Sequence, residues 1–306
     1  MPKDFITLAD WSAEDLLGML ERARELKALL KRGERPQTLE GRSVAMFFEK
    51  PSLRTHVTFE AGVTQLGGHA IWLKPEEVGI GTRETPGDVA ANLSRWVDAI
   101  VARTYSHHLV EELAASATIP VINGLTDLLH PCQVMADFQT MQEHLPLSEA
   151  VIAYVGDGNN MANSLLLGAA VLGLELRLAT PESHRPALRV RKRADEIAAR
   201  SGARIRWSED PVEAVRDADF VYTDTWTSMG QEAEAEMRRS LFRPYQLNVA
   251  LLAHAAPDAF VMHCLPAHRG EEITDEVLDG PRSIVFDQAE NRLHAQKAVM
   301  EKLLRR

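Results

Sequence analysis

Short apolar runs alternate with longer amphipathic segments along almost all of the 306 residues. The short runs fit buried strands, and the longer segments carry apolar residues at helical spacing. Strands joined in turn by helices predict parallel sheets with right-handed crossovers. The fold class predicted for this chain is therefore α/β.

The pattern restarts near Pro146, which predicts two parallel-sheet α/β domains of similar size. Two domains are also expected from length, because single cores rarely grow beyond roughly 250–300 residues. In the first half, strands are predicted at 44–48, 70–73, 99–102 and 120–122, and helices at 13–31, 55–66, 86–96, 109–116 and 133–144. In the second half, strands are predicted at 151–155, 176–179, 205–207, 220–222, 259–263 and 284–286, and helices at 160–172, 187–200 and 289–304.

Charge and hydropathy argue against several classes of protein. The formal net charge of -10 is unfavourable for a general nucleic-acid or membrane surface. No apolar run approaches the roughly 18 residues of a membrane helix, and the N-terminal segment lacks the apolar core of a signal peptide. The 2 cysteines are too few for a disulfide framework. The sequence predicts a cytoplasmic protein with neither nucleic-acid nor membrane partners.

Polar residues cluster where predicted strands end, which is where open parallel sheets bind ligands. Ser52, Arg54 and Thr55 lie between a strand and a helix. A helix N-terminus with two hydroxyls and a guanidinium suits a phosphate. The competing interpretation is a simple helix cap at Ser52, with Arg54 in solvent.

Two further polar groups follow strands of the first half. Arg103 comes directly after the strand at 99–102, and His130 precedes a helix whose first turn holds Pro131 and Gln133. The side chains of His130 and Gln133 can aim two donors at one carbonyl oxygen. A solvated strand end and an ordinary surface turn are the alternatives.

The second half opens with a strand, a turn at Gly156 and a helix. The turn matches a dinucleotide fingerprint only in part, because Met161 stands where the third glycine is expected. Its asparagines, Asn160 among them, suit the carboxylate and amine of an amino acid better than a pyrophosphate. Asp224, after a later strand, can hold an ammonium group or simply cap a turn.

His263 and Cys264 end the predicted strand at 259–263. Adjacent residues of an extended chain point to opposite faces, and no second Cys/His pair is present, so a metal site is not predicted. A cysteine nucleophile and a thiol beside an amine-binding site are both open. Arg292, on the last helix, is either a surface residue or a further cation for an anionic substrate.

These motifs occur together in one family. The sequence resembles the ornithine carbamoyltransferases of the aspartate/ornithine carbamoyltransferase family over essentially its whole length. Ser-x-Arg-Thr and His-Pro-x-Gln are shared with the aspartate enzymes and specify carbamoyl phosphate alone, whereas Ser-Met-Gly and His-Cys-Leu-Pro point to ornithine. His56 departs from the family, which commonly has arginine there. The matching motifs are FEKPSLRT, HPCQ, VGDGNN, DTWTSMG, HCLPAHRG and FDQAENRLH.

The resemblance implies a carbamoyl phosphate-binding domain at 1–145 and an ornithine-binding domain at 146–288, with the C-terminal helix 289–306 returning to the first. It implies attack of the ornithine δ-amine on the carbamoyl carbon, and a homotrimer or a multiple of trimers. The implied partners are the small molecules carbamoyl phosphate and L-ornithine, with no cofactor and no metal. Cys264 with Asp224 is our candidate for steering the amine's proton.

Site residues are carried over by matching motif. The resemblance implies catalytic roles for Arg54, Arg103, His130, Cys264 and Arg292. It implies carbamoyl phosphate binding by Ser52, Leu53, Arg54, Thr55, Arg103, His130, Gln133, Cys264, Leu265 and Arg292, and ornithine binding by Asn160, Asp224, Ser228 and Met229.

Three alternatives are open on the sequence. A carbamoyltransferase for putrescine or N-acetylornithine would keep the donor site and change the acceptor. A nicotinamide-dependent oxidoreductase would use the turn at Gly156. A non-catalytic binding module would bind carbamoyl phosphate without forming citrulline.

Overall fold

The computed structural model describes residues 2–228, 230 and 232–305 of the chain. The chain divides into two compact units, Met1–Gln139 with Glu290–Arg306, and Thr140–Ala289. Each unit contains one sheet, and the strands paired in each sheet are all parallel. The predicted fold class, two parallel-sheet α/β domains, is confirmed.

The first unit has a sheet in the order β2-β1-β3-β4. The central strands β1 and β3 are almost continuously buried, as expected for a parallel sheet covered on both faces, whereas the edge strand β2 is only partly buried. The strands are β1 (Ser43–Phe48), β2 (His69–Leu73), β3 (Ala99–Arg103) and β4 (Val121–Leu125). The helices are α1 (Ala13–Lys31), α2 (Leu53–Gln65), α3 (Pro75–Val78), α4 (Pro86–Trp96), α5 (His107–Ser116) and α6 (Pro131–Gln142).

The second unit has a sheet in the order β7-β6-β5-β8-β9. Helix α7 is apolar all round and buried along most of its length, as an interior helix must be. The strands are β5 (Val151–Val155), β6 (Glu175–Ala179), β7 (Arg204–Ser208), β8 (Phe220–Thr223) and β9 (Phe260–His263). The helices are α7 (Asn160–Leu172), α8 (Leu188–Ser201), α9 (Pro211–Val215), α10 (Ala235–Phe242), α11 (Val249–Leu252), α12 (Asp275–Leu278) and α13 (Val285–Leu304).

The last part of α13 belongs to the first unit, as predicted. Polar bonds tie it there: Lys27 Nζ of α1 donates to Asn291 Oδ1 at 2.8 Å, and Lys297 Nζ donates to Gln65 Oε1 of α2 at 3.0 Å. Arg22 of α1 also pairs with Glu301, which is almost fully buried. These bonds satisfy charged groups that would otherwise be costly to bury.

One predicted element is wrong. Residues 284–286 were expected to form a strand, but α13 begins at Val285, and the Phe286 side chain is 74% exposed. Ser283, just before this run, makes an isolated bridge to Val261. Periodicity cannot assign a short apolar run to a strand or to a helix, and this ambiguity explains the wrong prediction.

Within the described residues, no helix has both the length and the apolar composition that crossing a membrane requires.

Candidate active site

Ser52 ends the turn after β1 and starts α2. Its Oγ accepts the Thr55 backbone N–H at 3.1 Å, which is the N-cap arrangement for a serine with extended backbone angles. The Leu53 side chain is 75% exposed, so its position in the turn does not depend on core packing. Ser52 therefore caps α2, and the first N–H groups of the helix have no intrahelical partner, as at any helix start.

The Thr55 hydroxyl joins two arginines that come from different parts of the chain. Its Oγ1 accepts Arg292 Nη2 at 2.7 Å and Arg103 Nη1 at 3.2 Å. A hydroxyl has two acceptor lone pairs and one hydrogen, so these bonds occupy its acceptor capacity. The hydrogen of Thr55 is thereby directed to a different partner, and the two guanidinium groups polarise it.

Gln133 on α6 holds Arg292 from the other side. Its Oε1 accepts Arg292 Nη1 at 2.5 Å, while its Nε2 donates to Asp137 Oδ1 at 2.8 Å. Asp137 lies one turn further along α6 and is fully buried. The carboxylate fixes which end of the Gln133 amide faces Arg292, because only Nε2 can donate to it.

His130 lies among cations. Burial lowers its pKa well below the usual value, and the charges of Arg292, Arg103, Arg54 and Lys50 lower it further. The imidazole is therefore neutral at pH 7 and offers one N–H donor. We call Lys50, Arg54, Arg103 and Arg292 the cationic cluster.

In the second unit, Asp224 after β8 lies between an amide and a thiol. Its Oδ2 accepts Asn159 Nδ2 at 2.7 Å, and its Oδ1 accepts the Cys264 thiol at 3.0 Å. Asn159 is itself the cap of α7, since its Oδ1 accepts the N–H groups of Met161 and Ala162. The carboxylate is thus held at the end of β8 by groups from two other connections, those after β5 and β9.

A buried histidine supports the loop that carries Cys264. His263 Nδ1 accepts the Leu265 backbone N–H at 2.8 Å, which makes Nε2 the protonated nitrogen, and this pairs with Glu272 Oε1 at 3.1 Å. Leu265 has a φ of 58°, a left-handed conformation that is strained for leucine. The histidine bond stabilises that conformation.

The argument from opposite faces does not hold for His263 and Cys264. The chain turns at this point, and ligand atoms of Asp224, His263 and Cys264 lie within 4.8 Å of one another. Both ring nitrogens of His263 are engaged in protein hydrogen bonds, so a metal would have to displace one of them.

Arg238 on α10 connects two loops of the second unit. Its Nη1 lies 3.1 Å from Asp157 Oδ2 and 3.0 Å from the Trp226 carbonyl oxygen. Burial raises the pKa of Asp157 to about 7, against the attraction of Arg238. Tyr154 nearby has a pKa well above its usual value, first through burial and then through Asp224 and Asp157. We call Asp157, Asp224 and Glu272 the acidic cluster.

Two family descriptions match the chain in succession. Residues 3–143 match "Aspartate/ornithine carbamoyltransferase, carbamoyl-P binding domain", and residues 148–303 match "Aspartate/ornithine carbamoyltransferase, Asp/Orn binding domain". The chain belongs to the aspartate/ornithine carbamoyltransferase family.

Individual members of the family are similar over nearly their full length. The anabolic ornithine carbamoyltransferase of Pyrococcus furiosus is 52% identical over 299 residues, which is 97% of this chain and 95% of that one. The Anoxybacillus flavithermus ornithine carbamoyltransferase is 54% identical over 303 residues, 99% of this chain and 96% of that one. The solved Pyrococcus furiosus structure superposes with a TM-score of 0.95, covering 98% of this chain and 96% of that chain.

Within each unit, many residues matched to the family motifs lie close together. In the first unit, Arg103, Gln133 and Arg292 are linked through hydrogen bonds, directly or via Thr55. In the second, Asp224 bonds directly to Cys264. Met229 lies outside the described residues, and Asn160 and Ser228 are partly buried.

Several contacting residues were missed on the sequence. Asn159, which bonds to Asp224, was noted among the asparagines of this turn but was not assigned as a site residue. Asp137 carried a signal, since a carboxylate four residues after Gln133 lies on the same face of a helix. Arg238 and Glu272 carried none, because nothing in the sequence pairs them with Asp157 and His263.

The turn at Gly158 contradicts the nicotinamide alternative. A Cβ added at Gly158 would lie 2.3 Å from the His184 carbonyl oxygen and 2.4 Å from the backbone of Arg185. In a dinucleotide fold, the second glycine leaves room for the pyrophosphate. Here the protein's own backbone fills that room.

His56, the departure from the family pattern, packs on the surface of the first unit. Its ring stacks on Trp72 at 3.8 Å between centroids, and its Nε2 lies 3.0 Å from Glu60 Oε2. Histidine thus replaces the usual arginine with an aromatic contact in addition to an acidic partner.

Proposed function

We propose that this protein is an ornithine carbamoyltransferase, which transfers the carbamoyl group of carbamoyl phosphate to the δ-amine of L-ornithine. The products are L-citrulline and phosphate, and the reaction belongs to arginine biosynthesis. The observation that carries the proposal is the linkage of Arg103, Arg292 and Gln133, directly or through the Thr55 hydroxyl, beside the N-terminus of α2. Support also comes from the name of the Pyrococcus furiosus relative, "Ornithine carbamoyltransferase, anabolic".

The first unit is proposed to bind the donor. Arg54, Ser52 and the α2 N-terminus neutralise the phosphate, which becomes the leaving group. Thr55, Arg103 and the neutral His130 donate to the carbamoyl oxygen, where negative charge builds during attack. Arg292, held by Gln133, keeps Thr55 oriented.

The second unit is proposed to bind the acceptor. Asp224 attracts the δ-ammonium group, Asn160 and Ser228 contact the amino-acid end, and Met229 is assigned with them by motif alone. The neutral amine forms a C–N bond to the carbamoyl carbon, the C–O bond to phosphate breaks, and the nitrogen gives up one proton. Cys264 already donates to Asp224, so this pair offers a route for that proton.

We also propose a homotrimer, or a multiple of trimers, in the cytoplasm. Large apolar side chains exposed on the first unit favour an assembly, among them Trp96 at 69% and Leu53 at 75% exposure. Light scattering of the purified protein measures the mass directly, and a monomer would contradict this part of the proposal.

The function is tested by a citrulline assay. Carbamoyl phosphate is supplied with ornithine, N-acetylornithine, putrescine or aspartate in turn. Citrulline formed efficiently from ornithine supports the proposal. Faster carbamoylation of another amine would reassign the acceptor site, and binding of carbamoyl phosphate without any turnover would leave only a binding module.

A further inference from the structure

Glu272 is a fully buried carboxylate with one unsatisfied oxygen. Its Oε1 accepts two hydrogen bonds, from His263 Nε2 at 3.1 Å and from the His268 backbone N–H at 2.6 Å. Its Oε2 is buried and accepts no hydrogen bond from the residues that the structure describes. A buried polar atom of this kind is costly, and native proteins satisfy it with an ion or a water when no side chain does so.

Two other side chains with metal-ligating atoms lie beside this oxygen. His268 Nδ1 is 3.8 Å from Glu272 Oε2. That distance is too long for a hydrogen bond, but two metal–ligand bonds of about 2.0–2.2 Å each can span it. Glu271 completes the group, because one ligand atom from each of the three residues lies within 4.8 Å of the others. An imidazole nitrogen with two carboxylate oxygens suits a divalent transition-metal ion such as Mn²⁺ or Zn²⁺.

Neighbouring groups hold these side chains in place. Arg239 Nε of α10 lies 3.0 Å from Glu271 Oε1, so it orients this carboxylate through one oxygen and leaves the other for a ligand. The backbone is fixed as well, since the Glu271 N–H donates to the His268 carbonyl oxygen at 2.9 Å and Gln246 Nε2 donates to the Glu271 carbonyl oxygen at 2.8 Å. Hydrogen-bonded carboxylates of this kind are the usual support of metal ligands in proteins.

Glu272 also supports the loop that carries Cys264. Its Oε1 pairs with His263, and His263 Nδ1 accepts the backbone N–H of Leu265, the residue in the left-handed conformation. A cation on Glu272 Oε2 would therefore connect the turn at 268–272 to the end of β9 and stabilise the whole loop between them.

We propose that His268, Glu271 and the Oε2 atom of Glu272 bind a divalent transition-metal ion, which stabilises the loop from Cys264 to Glu272. The His268 side chain is 47% exposed, so water can fill the remaining coordination positions. The ion is a structural one with no part in carbamoyl transfer, and the inference does not depend on the proposed function.

The experiment measures Mn²⁺ binding to the full-length protein by electron paramagnetic resonance. Mn²⁺ is the probe because it is a hard ion with little preference for the thiol of Cys264, which lies in the group with Asp224 and His263. His268→Ala and Glu271→Gln should each weaken binding by at least about tenfold, since losing a ligand costs no less than losing an outer partner of one. Coupling of an imidazole nitrogen to bound Mn²⁺ should disappear in His268→Ala.

His108→Ala is the matched control. His108 is an exposed histidine of α5 that lies 3.6 Å from Glu111 and 3.7 Å from Glu112, so it offers the same residue types without a buried carboxylate. Mn²⁺ affinity and the nitrogen coupling should be unchanged in this variant. Equal losses in His108→Ala and His268→Ala would show general binding at the surface and overturn the inference. Loss of binding in Cys264→Ala, with full binding in His268→Ala, would place the ion in the other group and also overturn it.

Thermal unfolding tests the stabilising role. Saturating Mn²⁺ should raise the midpoint of the original protein by a few degrees, and should raise that of His268→Ala by clearly less. Mg²⁺ at the same concentration should neither raise the midpoint nor displace Mn²⁺, because Mg²⁺ takes oxygen ligands and keeps its waters. No measurable Mn²⁺ binding by the original protein, or an equal effect of Mg²⁺, would overturn the inference.

Discussion

In the first unit, four cations surround a neutral histidine, whereas in the second unit three carboxylates lie near a thiol and a buried tyrosine. The pKa values record the contrast. Burial and then positive charges lower the pKa of His130, whereas burial and then negative charges raise the pKa of Tyr154. Both clusters follow strands of a parallel sheet, so the sheet does not set the charge. The side chains at the strand ends do, and their charges match the anionic donor and the cationic acceptor that we propose.

The two clusters also differ in how they are held. In the cationic cluster, the neutral Thr55 hydroxyl joins Arg103 to Arg292, and the Gln133 amide joins Arg292 to the Asp137 carboxylate. The acidic cluster is held by donors of its own: Asn159 and Cys264 for Asp224, Arg238 for Asp157, and His263 for Glu272. Each cluster therefore has linking residues whose removal should affect one substrate more than the other.

Replacing Thr55 is expected to have the largest effect. Thr55→Val keeps the shape but removes the acceptor shared by Arg103 and Arg292 and the hydroxyl donor beside them. We expect kcat to fall by about 10²- to 10³-fold, the cost of one oxyanion donor. Thr58→Val is the control, because Thr58 bonds only to backbone carbonyl groups of α2. Equal losses in both variants would contradict the role of Thr55.

Asp224→Asn tests the acidic cluster. The variant loses the charge that attracts the δ-ammonium group, so KM for ornithine should rise by about 10- to 100-fold, with little change in KM for carbamoyl phosphate. Asp219→Asn is matched to it, since Asp219 lies at the opposite end of β8 and accepts the Val151 N–H. A rise in the donor's KM instead would show that the two clusters are not specialised as proposed.

Asp137→Asn tests the support of Arg292. The amide can donate as well as accept, so the orientation of the Gln133 amide is no longer fixed, and we expect kcat to fall by about tenfold. Asp98→Asn serves as the comparison, because Asp98 is a carboxylate of the same unit that instead caps the start of β1. Unchanged kcat in Asp137→Asn would mean that Arg292 holds its place without the Gln133 link.

Asp157→Asn should have the smallest effect on catalysis, and its effect is seen instead in stability against pH. The pKa of Asp157 is about 7 in the folded protein, against an ordinary value of 3.8 for an aspartate side chain. Between these values the folded state binds the extra proton, so the contribution of Asp157 to the free energy of unfolding falls as pH rises from about 4 to about 7.

That slope amounts to at most about 1.4 kcal/mol per pH unit. The Asp157→Asn variant should lose this dependence on pH. Denaturation curves of the original protein and the variant, measured between about pH 4 and about pH 7, give the difference in their free energies of unfolding. Parallel dependences on pH would show that Asp157 ionises near its ordinary value in the folded protein.

Much of the fold could be predicted because strand and helix periodicities are local. β1, β5 and α7 were found from their apolar runs, and the parallel pairing followed from alternation. The strand predicted at 284–286 was wrong because the pattern is local there too. Three apolar residues do not distinguish a strand from the first turn of α13.

The motifs also placed Arg103 and Asp224 at strand ends and Gln133 in the first turn of a helix. They could not show that Thr55 joins two arginines, that Asn159 bonds to Asp224, or that Arg238 pairs with Asp157. Each of these depends on residues far apart in the chain, and spacing along a sequence says nothing about such pairs.

The sequence by itself determined the alternation of elements, the two halves and the family motifs, because these depend on neighbouring residues and on residue type. Only the tertiary structure decided which polar atoms meet, which amide ends face an arginine and which charges are buried. Those outcomes depend on the register of parallel strands and on the return of α13, where side chains from distant segments compete for the same hydrogen-bond partners.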